Sequence, residues 1–284
     1  MCLITFALDT TAGSFVLAAN RDEYYARPTV AAHWWQQESG IFAGRDGLAG
    51  GTWLAVNQQG RLATLTNYRE PGHPPADSPS RGELVLAAVR KNQPVQEIID
   101  AFSTSGTRYA GYNLLVFDWT PDRATGRTTG LQAWYLSNRA PQPVRALQHG
   151  VYGLSNGLLD DPWPKSQRLK QTLSAALGLP GRQRDQHLLD ALTDRSIASD
   201  HLLPDTGIGL TREQDLAPAF IRTVGADNQA YGTRSSAIVQ LDGAGQLDFT
   251  EWSWQVDLLT TRNAADSALS ARCRKMRVHS VLQQ

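Results

Sequence analysis

The sequence contains little cysteine and no long apolar run, and it has no excess charge of either sign. Only two of the 284 residues are cysteine, Cys2 and Cys273, which excludes a multi-disulfide framework or a paired-cysteine metal site. Lys plus Arg equals Asp plus Glu at 27 each, so a nucleic acid or an anionic membrane is not expected as a partner. The six histidines are scattered without an HExxH pattern, and we expect no metal and no bound cofactor.

No stretch approaches the roughly 18 consecutive apolar residues of a membrane-spanning helix, and the N-terminus lacks the basic and apolar regions of a secretory signal. These absences predict a cytoplasmic protein without a membrane span. With 41% hydrophobic residues, the chain is long enough to bury a large core. We expect one globular domain over residues 1–260, followed by a polar and basic tail over 261–284 that is helical or disordered.

Short apolar strands joined by tight turns dominate both ends of the chain. Residues 3–8 and 14–19 form one predicted hairpin, and the second leads into the polar tetrad 20–23. Helices follow a capping-box pattern at residues 80–83 and again cover 165–177. Because strands come in consecutive pairs and helices do too, the order predicts antiparallel sheets covered by helices rather than a parallel sheet.

Cys2 follows the initiator methionine and begins the first predicted strand. Removal of Met1 would leave a thiol and a free α-amine on one residue. An α-amine has a usual pKa of about 7.7 to 8 and a thiol about 8.5, so near neutral pH the amine can accept the thiol proton without a histidine. The alternative is a small buried hydrophobic residue, and the dipeptide alone does not decide between the two.

Further polar side chains follow predicted strands. Asn67 and Asn156 each carry an NH2 group that can donate to an oxyanion, and one such donor is typically worth about 2.7 to 4 kcal/mol. Asparagine also ends strands because it tolerates turns. Asp22 could orient an α-amine and Arg21 could favour a thiolate, or both could belong to a solvated surface cluster. Arg234 could bind a carboxylate or phosphate of a ligand, or pair with an acidic side chain.

Residues 153–157 match the G-x-S-x-G pattern of a serine nucleophile elbow. In that motif a helix begins directly after the serine. Pro162 and Pro164 follow instead, and the parallel strand-helix-strand units that the elbow requires are missing upstream. A serine hydrolase of this type is therefore not expected.

Six short motifs occur in order along the chain: Met1-Cys2-Leu3-Ile4, Asn20-Arg21-Asp22-Glu23, Gly50-Gly51-Thr52-Trp53, Thr66-Asn67-Tyr68-Arg69, Leu154-Ser155-Asn156 and Tyr231-Gly232-Thr233-Arg234-Ser235-Ser236. Together they resemble the NRDE family, also called the transport and Golgi organisation 2 family, which is grouped with the N-terminal nucleophile hydrolases. The resemblance runs from residue 1 to about residue 255. It implies an α+β fold, a four-layer α-β-β-α sandwich with two mainly antiparallel sheets.

The resemblance also implies a reaction. The layout of the NRDE family is similar to that of the choloylglycine hydrolase group, in which a mature N-terminal cysteine works with an aspartate and two asparagines. These positions correspond to Cys2, Asp22, Asn67 and Asn156, the expected catalytic residues of a hydrolase that cleaves an amide or thioester bond of a small acyl metabolite. That group has an arginine three positions before the aspartate, where this chain has Ala19.

The expected substrate contacts are Asn20, Arg21 and Arg234. A second function stays open, because members of the NRDE family are associated with haem trafficking, acyl-CoA or lipid metabolism, and secretion. In this alternative the chain binds and transfers haem, an acyl-CoA or a lipid without turnover. The partner is then a small-molecule ligand rather than an acyl substrate.

Overall fold

The computed structural model describes residues 2–72, 77–90, 93–121, 128–223, 230–256 and 269–279. These residues form fourteen strands and five α-helices. In chain order they are β1 (Cys2–Asp9), β2 (Ser14–Tyr24), β3 (Thr29–Trp34), β4 (Ile41–Asp46), β5 (Leu54–Asn57), β6 (Arg61–Asn67), α1 (Gly82–Val89), α2 (Val95–Ser105), β7 (Tyr112–Pro121), β8 (Thr128–Ser137), β9 (Val144–Leu147), β10 (Gly150–Leu154), α3 (Pro164–Ala176), α4 (Gly181–Leu192), α5 (Leu210–Asp215), β11 (Arg222–Thr223), β12 (Tyr231–Leu241), β13 (Gln246–Val256) and β14 (Leu269–His279).

The strands form two sheets, and every pairing among the described strands is antiparallel. The first sheet has the order β10-β1-β2-β12-β13-β14, with β11 beside β12. The second sheet runs from β3 to β9 in chain order. Because β1 lies between β10 and β2, the strand that begins at Cys2 is inside a sheet rather than at an edge.

Alternation along each strand divides the side chains between two faces. Ile4, Phe6 and Leu8 of β1 pack between the two sheets, where Phe6 meets Phe117 of β7 edge to face at 5.3 Å between ring centroids. Leu3 faces the other way, into the cluster formed with α3 and α4. Helices α1 and α2 cover the outer face of the second sheet. The layers are therefore helix, sheet, sheet, helix, and the predicted α+β fold, the α-β-β-α sandwich, is confirmed.

Three local predictions were wrong. The polar tetrad 20–23 does not follow β2 but lies within it, because β2 is paired on both sides, with β1 and with β12. No side-chain capping bond of the predicted capping box is found at α1, and Arg81 occupies its N-cap position. Residues 269–279 form β14 along β13 instead of a helix or a disordered tail. The predicted domain boundary at residue 260 stays a prediction.

Candidate active site

Cys2 lies at the start of β1, on the face that also carries Ile4, and pairs with Arg21 of β2. It is buried, with 8% of its surface exposed. Burial raises the pKa of the Cys2 thiol, and the negative charge of Asp22 acts in the same direction, whereas Arg21 and the backbone N–H of Asp22 act against it. The thiol is therefore neutral unless a local base accepts its proton. The predicted removal of Met1 concerns a residue outside the described ones.

Asp22 lies next to this thiol and is almost fully buried. Its Oδ1 accepts a hydrogen bond of 2.7 Å from the Thr233 hydroxyl, and its backbone carbonyl accepts one of 2.9 Å from the Tyr231 hydroxyl. Burial raises the pKa of Asp22, while Lys165 and the Thr233 bond lower it. Since Cys2 pairs with Arg21, Asp22 stands one position further along β2, at the end of β1 where an α-amine on Cys2 would be.

The two asparagines take different positions. Asn67 is half-buried at the end of β6 and lines the same cavity as Cys2. Asn156 is completely buried just after β10, and its Nδ2 donates a 2.8 Å hydrogen bond to the Asn67 carbonyl. Its own carbonyl accepts a 2.7 Å bond from the Arg69 N–H. The structure thus brings Asn67 to Cys2, and Asn156 holds the chain segment that carries Asn67.

Two cavities adjoin beside the candidate nucleophile, and Cys2 lines the smaller of them. The smaller has a volume of about 390 Å³ and is lined by Cys2, Asp22, Asn67 and Arg81 among others. The larger, of about 950 Å³, shares five lining residues with it: Asn67, Ser78, Pro79, Arg81 and Ala110. Because its remaining wall contains tyrosine, proline, isoleucine and leucine side chains as well as arginines, the combined space suits a ligand with an apolar part and a polar part.

Arg21 lines the smaller cavity, but its guanidinium is engaged. It donates to the Thr29 hydroxyl at 3.1 Å and lies 4.2 Å from the centre of the Trp53 ring. Asp46 and Glu23 approach it at 3.6 and 3.8 Å. Arg21 therefore forms one wall of the cavity as a stacked and ion-paired side chain.

The structure does not bring Asn20 and Arg234 into these two cavities, within the part of the chain that it describes. The Asn20 Nδ2 donates to the carbonyls of Leu192 and Ala219, both at 2.8 Å, and its Oδ1 accepts from the Ser236 hydroxyl. These bonds tie β2 to the helical layer. The side-chain amide of Asn20, a predicted substrate contact, is therefore engaged in hydrogen bonds within the protein.

Arg234 sits at a bulge in β12, where the register with β2 shifts between Thr233 and Ser235. Its Nη1 reaches the carbonyls of Tyr24, Tyr25 and Arg27, at 2.8, 3.0 and 3.2 Å. The arginine thus fixes the loop after β2 rather than facing the cavities.

Sequence reasoning missed Arg81 at the site. Arg81 precedes α1 and lines both cavities. Burial lowers the pKa of Arg81, and the negative charges of a Cys2 thiolate, Glu23 and Glu70 act against this effect. The sequence offered no signal for its position, because residues 80–83 match a helix start whatever surrounds them.

Lys165, near the beginning of α3, is the other missed residue. It is 3% exposed, its Nζ donates a 2.8 Å bond to the Leu216 carbonyl, and Asp22 is the largest opposing charge. Burial lowers the pKa of Lys165 from 10.5 to about 8. A signal for it exists in the sequence: Lys165, Leu169 and Leu173 are spaced i, i+4, i+8, which places the lysine on the buried face of the helix.

Arg69, which lines the larger cavity, forms a buried ion pair with Glu213. Glu213 also accepts hydrogen bonds from the Thr206 N–H and hydroxyl, and the Arg69 guanidinium stacks on Trp163 at 4.6 Å. The pair links the end of the second sheet to α5. Among the described residues there is no cluster of His, Cys, Asp and Glu that could hold a metal ion, and no helix there is long and apolar enough to cross a membrane.

Comparison with known proteins places these positions in a family. A family model described as Transport and Golgi organisation 2 matches residues 1–256. The Transport and Golgi organization 2 homolog of Mus musculus is 34% identical over 268 residues, which cover 89% of this chain and 93% of the relative. The chain belongs to the Transport and Golgi organisation 2 family. Its human relative, the Transport and Golgi organization protein 2 homolog, is 33% identical over 268 residues, with the same coverage of both chains.

The Transport and Golgi organisation 2 match includes every candidate site residue, from Cys2 to Arg234. A crystal structure of a conjugated bile acid hydrolase from Clostridium perfringens aligns with 95% of this chain and 96% of its own, with a TM-score of 0.41 and 10% sequence identity. A likeness of this size does not transfer an activity or a substrate. The family assignment is therefore secure, and the reaction has to be inferred from the site.

Proposed function

We propose that this member of the Transport and Golgi organisation 2 family is a hydrolase that uses Cys2 as an N-terminal nucleophile on an amide or thioester bond of a small acyl compound. The observation that carries the proposal is the position of Cys2 at the head of β1, in the wall of a cavity that also contains Asn67 and Asp22 and opens into a larger one. A thiol in the wall of a ligand-sized cavity can reach the carbonyl of a substrate bound there.

The first half of the proposed reaction forms an acyl-enzyme. After loss of Met1, the α-amine of Cys2 takes the thiol proton, and the thiolate attacks the carbonyl carbon. The oxyanion that develops receives a hydrogen bond from the Asn67 side chain. The bond to the leaving amine or thiol then breaks, and the leaving group takes the proton from the ammonium.

The second half hydrolyses the acyl thioester. The amine takes a proton from water, the hydroxide attacks the thioester carbonyl, and the carbon–sulfur bond breaks. The thiolate regains its proton from the ammonium as the carboxylic acid is released. Asp22 orients the amine through both halves, because it lies next to the end of β1 and is itself held by Thr233 and Tyr231.

Intact-mass spectrometry of the purified protein, before and after incubation with a panel of amides and acyl-CoA thioesters, tests the proposal. We expect loss of Met1 and an acyl adduct that disappears in Cys2→Ala but persists in Cys273→Ala, the matched control for the second thiol. An N-terminal extension that keeps the Cys2 nitrogen in a peptide bond should also abolish the adduct, because burial disfavours the thiolate when no amine is adjacent.

A retained Met1 in active protein would contradict the mechanism. Co-purification of haem, an acyl-CoA or a lipid that survives Cys2→Ala, together with an unmodified Cys2 across the whole panel, would overturn the hydrolase and support the carrier function instead. The two functions are therefore separated by a single series of mass measurements.

A further inference from the structure

The two cavities beside Cys2 differ in the residues of their walls, and Arg81 stands where they join. Of the described residues that line both, Arg81 is the one with a charge. Charged side chains line both cavities, but Cys2 lines only the smaller of the two, and the larger is also bordered by four tyrosines and by Leu216. A bound ligand that reaches from Cys2 into the larger cavity would therefore pass the Arg81 guanidinium.

The other arginines of the smaller cavity are neutralised by carboxylates. The Arg27 Nε is 2.7 Å from the Asp46 Oδ2, and Arg21 lies between Asp46 and Glu23. At the rim of the larger cavity, Arg139 donates two bonds of 2.8 Å to Glu70. These side chains already have their counter-charge, so they are poor candidates to bind an anionic ligand.

Arg81 has a different set of partners. Its Nη1 donates a 3.0 Å hydrogen bond to the Gly111 carbonyl, and within the described ranges of the chain no carboxylate forms an ion pair with it. A guanidinium has several N–H donors in a planar fork that matches a carboxylate, sulfonate or phosphate. Glu23 and Glu70 act on Arg81 through space, but both are ion-paired with other arginines. Holding a half-buried cation without a carboxylate of its own is costly unless a ligand supplies one.

We propose that Arg81 binds a negatively charged group of the ligand close to the bond that Cys2 attacks, so that the substrates are anionic acyl amides or thioesters with an apolar acyl part. That the bound compound is a substrate rests on the proposed function. Binding of an anion by Arg81 does not depend on turnover. The shared chemistry is a compact oxyanion group; whether it is a carboxylate, a sulfonate or a phosphonate is left to the experiment.

Binding to the Cys2→Ala protein tests the anion site without turnover. Calorimetric titrations compare N-dodecanoylglycine with its neutral isostere N-dodecanoylglycinamide, and then with N-dodecanoyltaurine and N-dodecanoylaminomethylphosphonate to identify the preferred anion. We expect the preferred anion to bind roughly 10- to 100-fold more tightly than the amide, the effect of a charge-assisted hydrogen bond. Arg81→Gln should abolish this preference and Arg81→Lys should retain part of it.

Arg182→Gln is the matched control, because Arg182 is an exposed arginine on α4 outside both cavities. It should leave the preference unchanged. If Arg81→Gln does not fold, as judged by its thermal unfolding, the comparison of anion with amide in the Cys2→Ala protein still decides. Equal binding of all four compounds there would overturn the inference.

The two proposals fail in different ways. Acylation of Cys2 by neutral and anionic compounds at the same rate, unaffected by Arg81→Gln, would overturn the anion site and leave the hydrolase. Selective anion binding that depends on Arg81, with no acylation of Cys2 by any compound, would support the anion site and overturn the hydrolase.

Discussion

Lys165 shows at the level of one residue how the fold sets the charge near the candidate nucleophile. Its ammonium is buried beside Asp22, and Arg69, Cys2 and Glu213 also act on it. Burial lowers the pKa of Lys165 to about 8, while it raises the pKa of Asp22. Both changes favour the neutral forms, so the environment opposes a fixed ion pair beneath the site.

This pKa predicts a pH dependence of stability. In the unfolded chain Lys165 keeps its proton up to its usual pKa of 10.5, whereas in the folded chain it loses the proton above about pH 8. Between these values the unfolded state binds more protons, so the free energy of unfolding contributed by Lys165 rises with pH. We expect wild type to gain on the order of 3 kcal/mol relative to Lys165→Met over this window.

Urea unfolding of both proteins at several values between pH 7.5 and 10.5 measures this difference. Lys170→Met is a suitable control, since Lys170 lies on the same helix and is paired with Asp160 nearer the surface. Parallel pH profiles for wild type and Lys165→Met would show that Lys165 does not lose its proton in the folded protein.

Replacement of Asn67 and of Asn156 by alanine should affect different properties, the first the reaction rate and the second the stability. Asn67→Ala removes the proposed oxyanion donor and should lower kcat by about 10²- to 10³-fold with little change in stability. Asn156→Ala removes a buried donor from the Asn67 carbonyl and should lower the free energy of unfolding by about 1 to 3 kcal/mol. Steady-state kinetics and urea unfolding of both variants give the comparison. An Asn156→Ala protein with wild-type stability and the same kinetic loss as Asn67→Ala would make Asn156 a direct donor.

The sequence predicts which residues lie near the nucleophile when those residues belong to elements that follow one another closely in the chain. Cys2 and Asp22 lie on neighbouring strands joined by a short turn, so their proximity follows from the hairpin. Arg81 and Lys165 reach the site from distant segments, and no local pattern indicates that approach. Arg234 was placed on a strand, but the bulge that turns its side chain toward the loop after β2 depends on pairing across the sheet.

At the level of elements, strand β2 is the framework of the site. It pairs with β1 on one side and with β12 on the other, so it holds Asp22 between Cys2 and Thr233. The sequence predicted β1, the first half of β2 and the α3 helix from periodicity. It missed the extension of β2 through the polar tetrad, because polar residues inside a doubly paired strand do not alternate with apolar ones.

Close approach between elements was equally invisible in the sequence. A Cβ at Gly51 would lie 2.9 Å from the Gly82 carbonyl carbon, and one at Gly82 would lie 3.0 Å from the Thr52 backbone. These two glycines let the loop before β5 contact the start of α1, next to Arg81. Gly82 belongs to the predicted capping box and Gly51 to one of the six short motifs, and neither pattern shows that the two glycines face each other.

At the level of the whole molecule, the site forms where four layers converge. Cys2 and Asp22 come from the first sheet, Asn67 from the second, Arg81 from the start of α1 and Lys165 from α3. The grouping of strands and helices predicted antiparallel sheets covered by helices, and the family resemblance implied the four-layer order. Convergence of single side chains from all four layers requires the registers between strands, and these are set by packing over long distances in the chain.

Removal of the last strand, β14, would show whether it belongs to the unit that unfolds cooperatively. The family match ends at residue 256, yet β14 pairs with β13 along its full length, from Leu269 opposite Val256 to His279 opposite Gln246. A chain that ends at residue 260 would expose the side of β13 that pairs with β14 and make β13 the edge of the first sheet, which favours association between sheets. We expect its melting temperature to fall by at least about 5 °C and light scattering to show oligomers. Deletion of residues 280–284 alone should do neither, and a monomeric chain of unchanged melting temperature after truncation at 260 would show that β14 adds no stability.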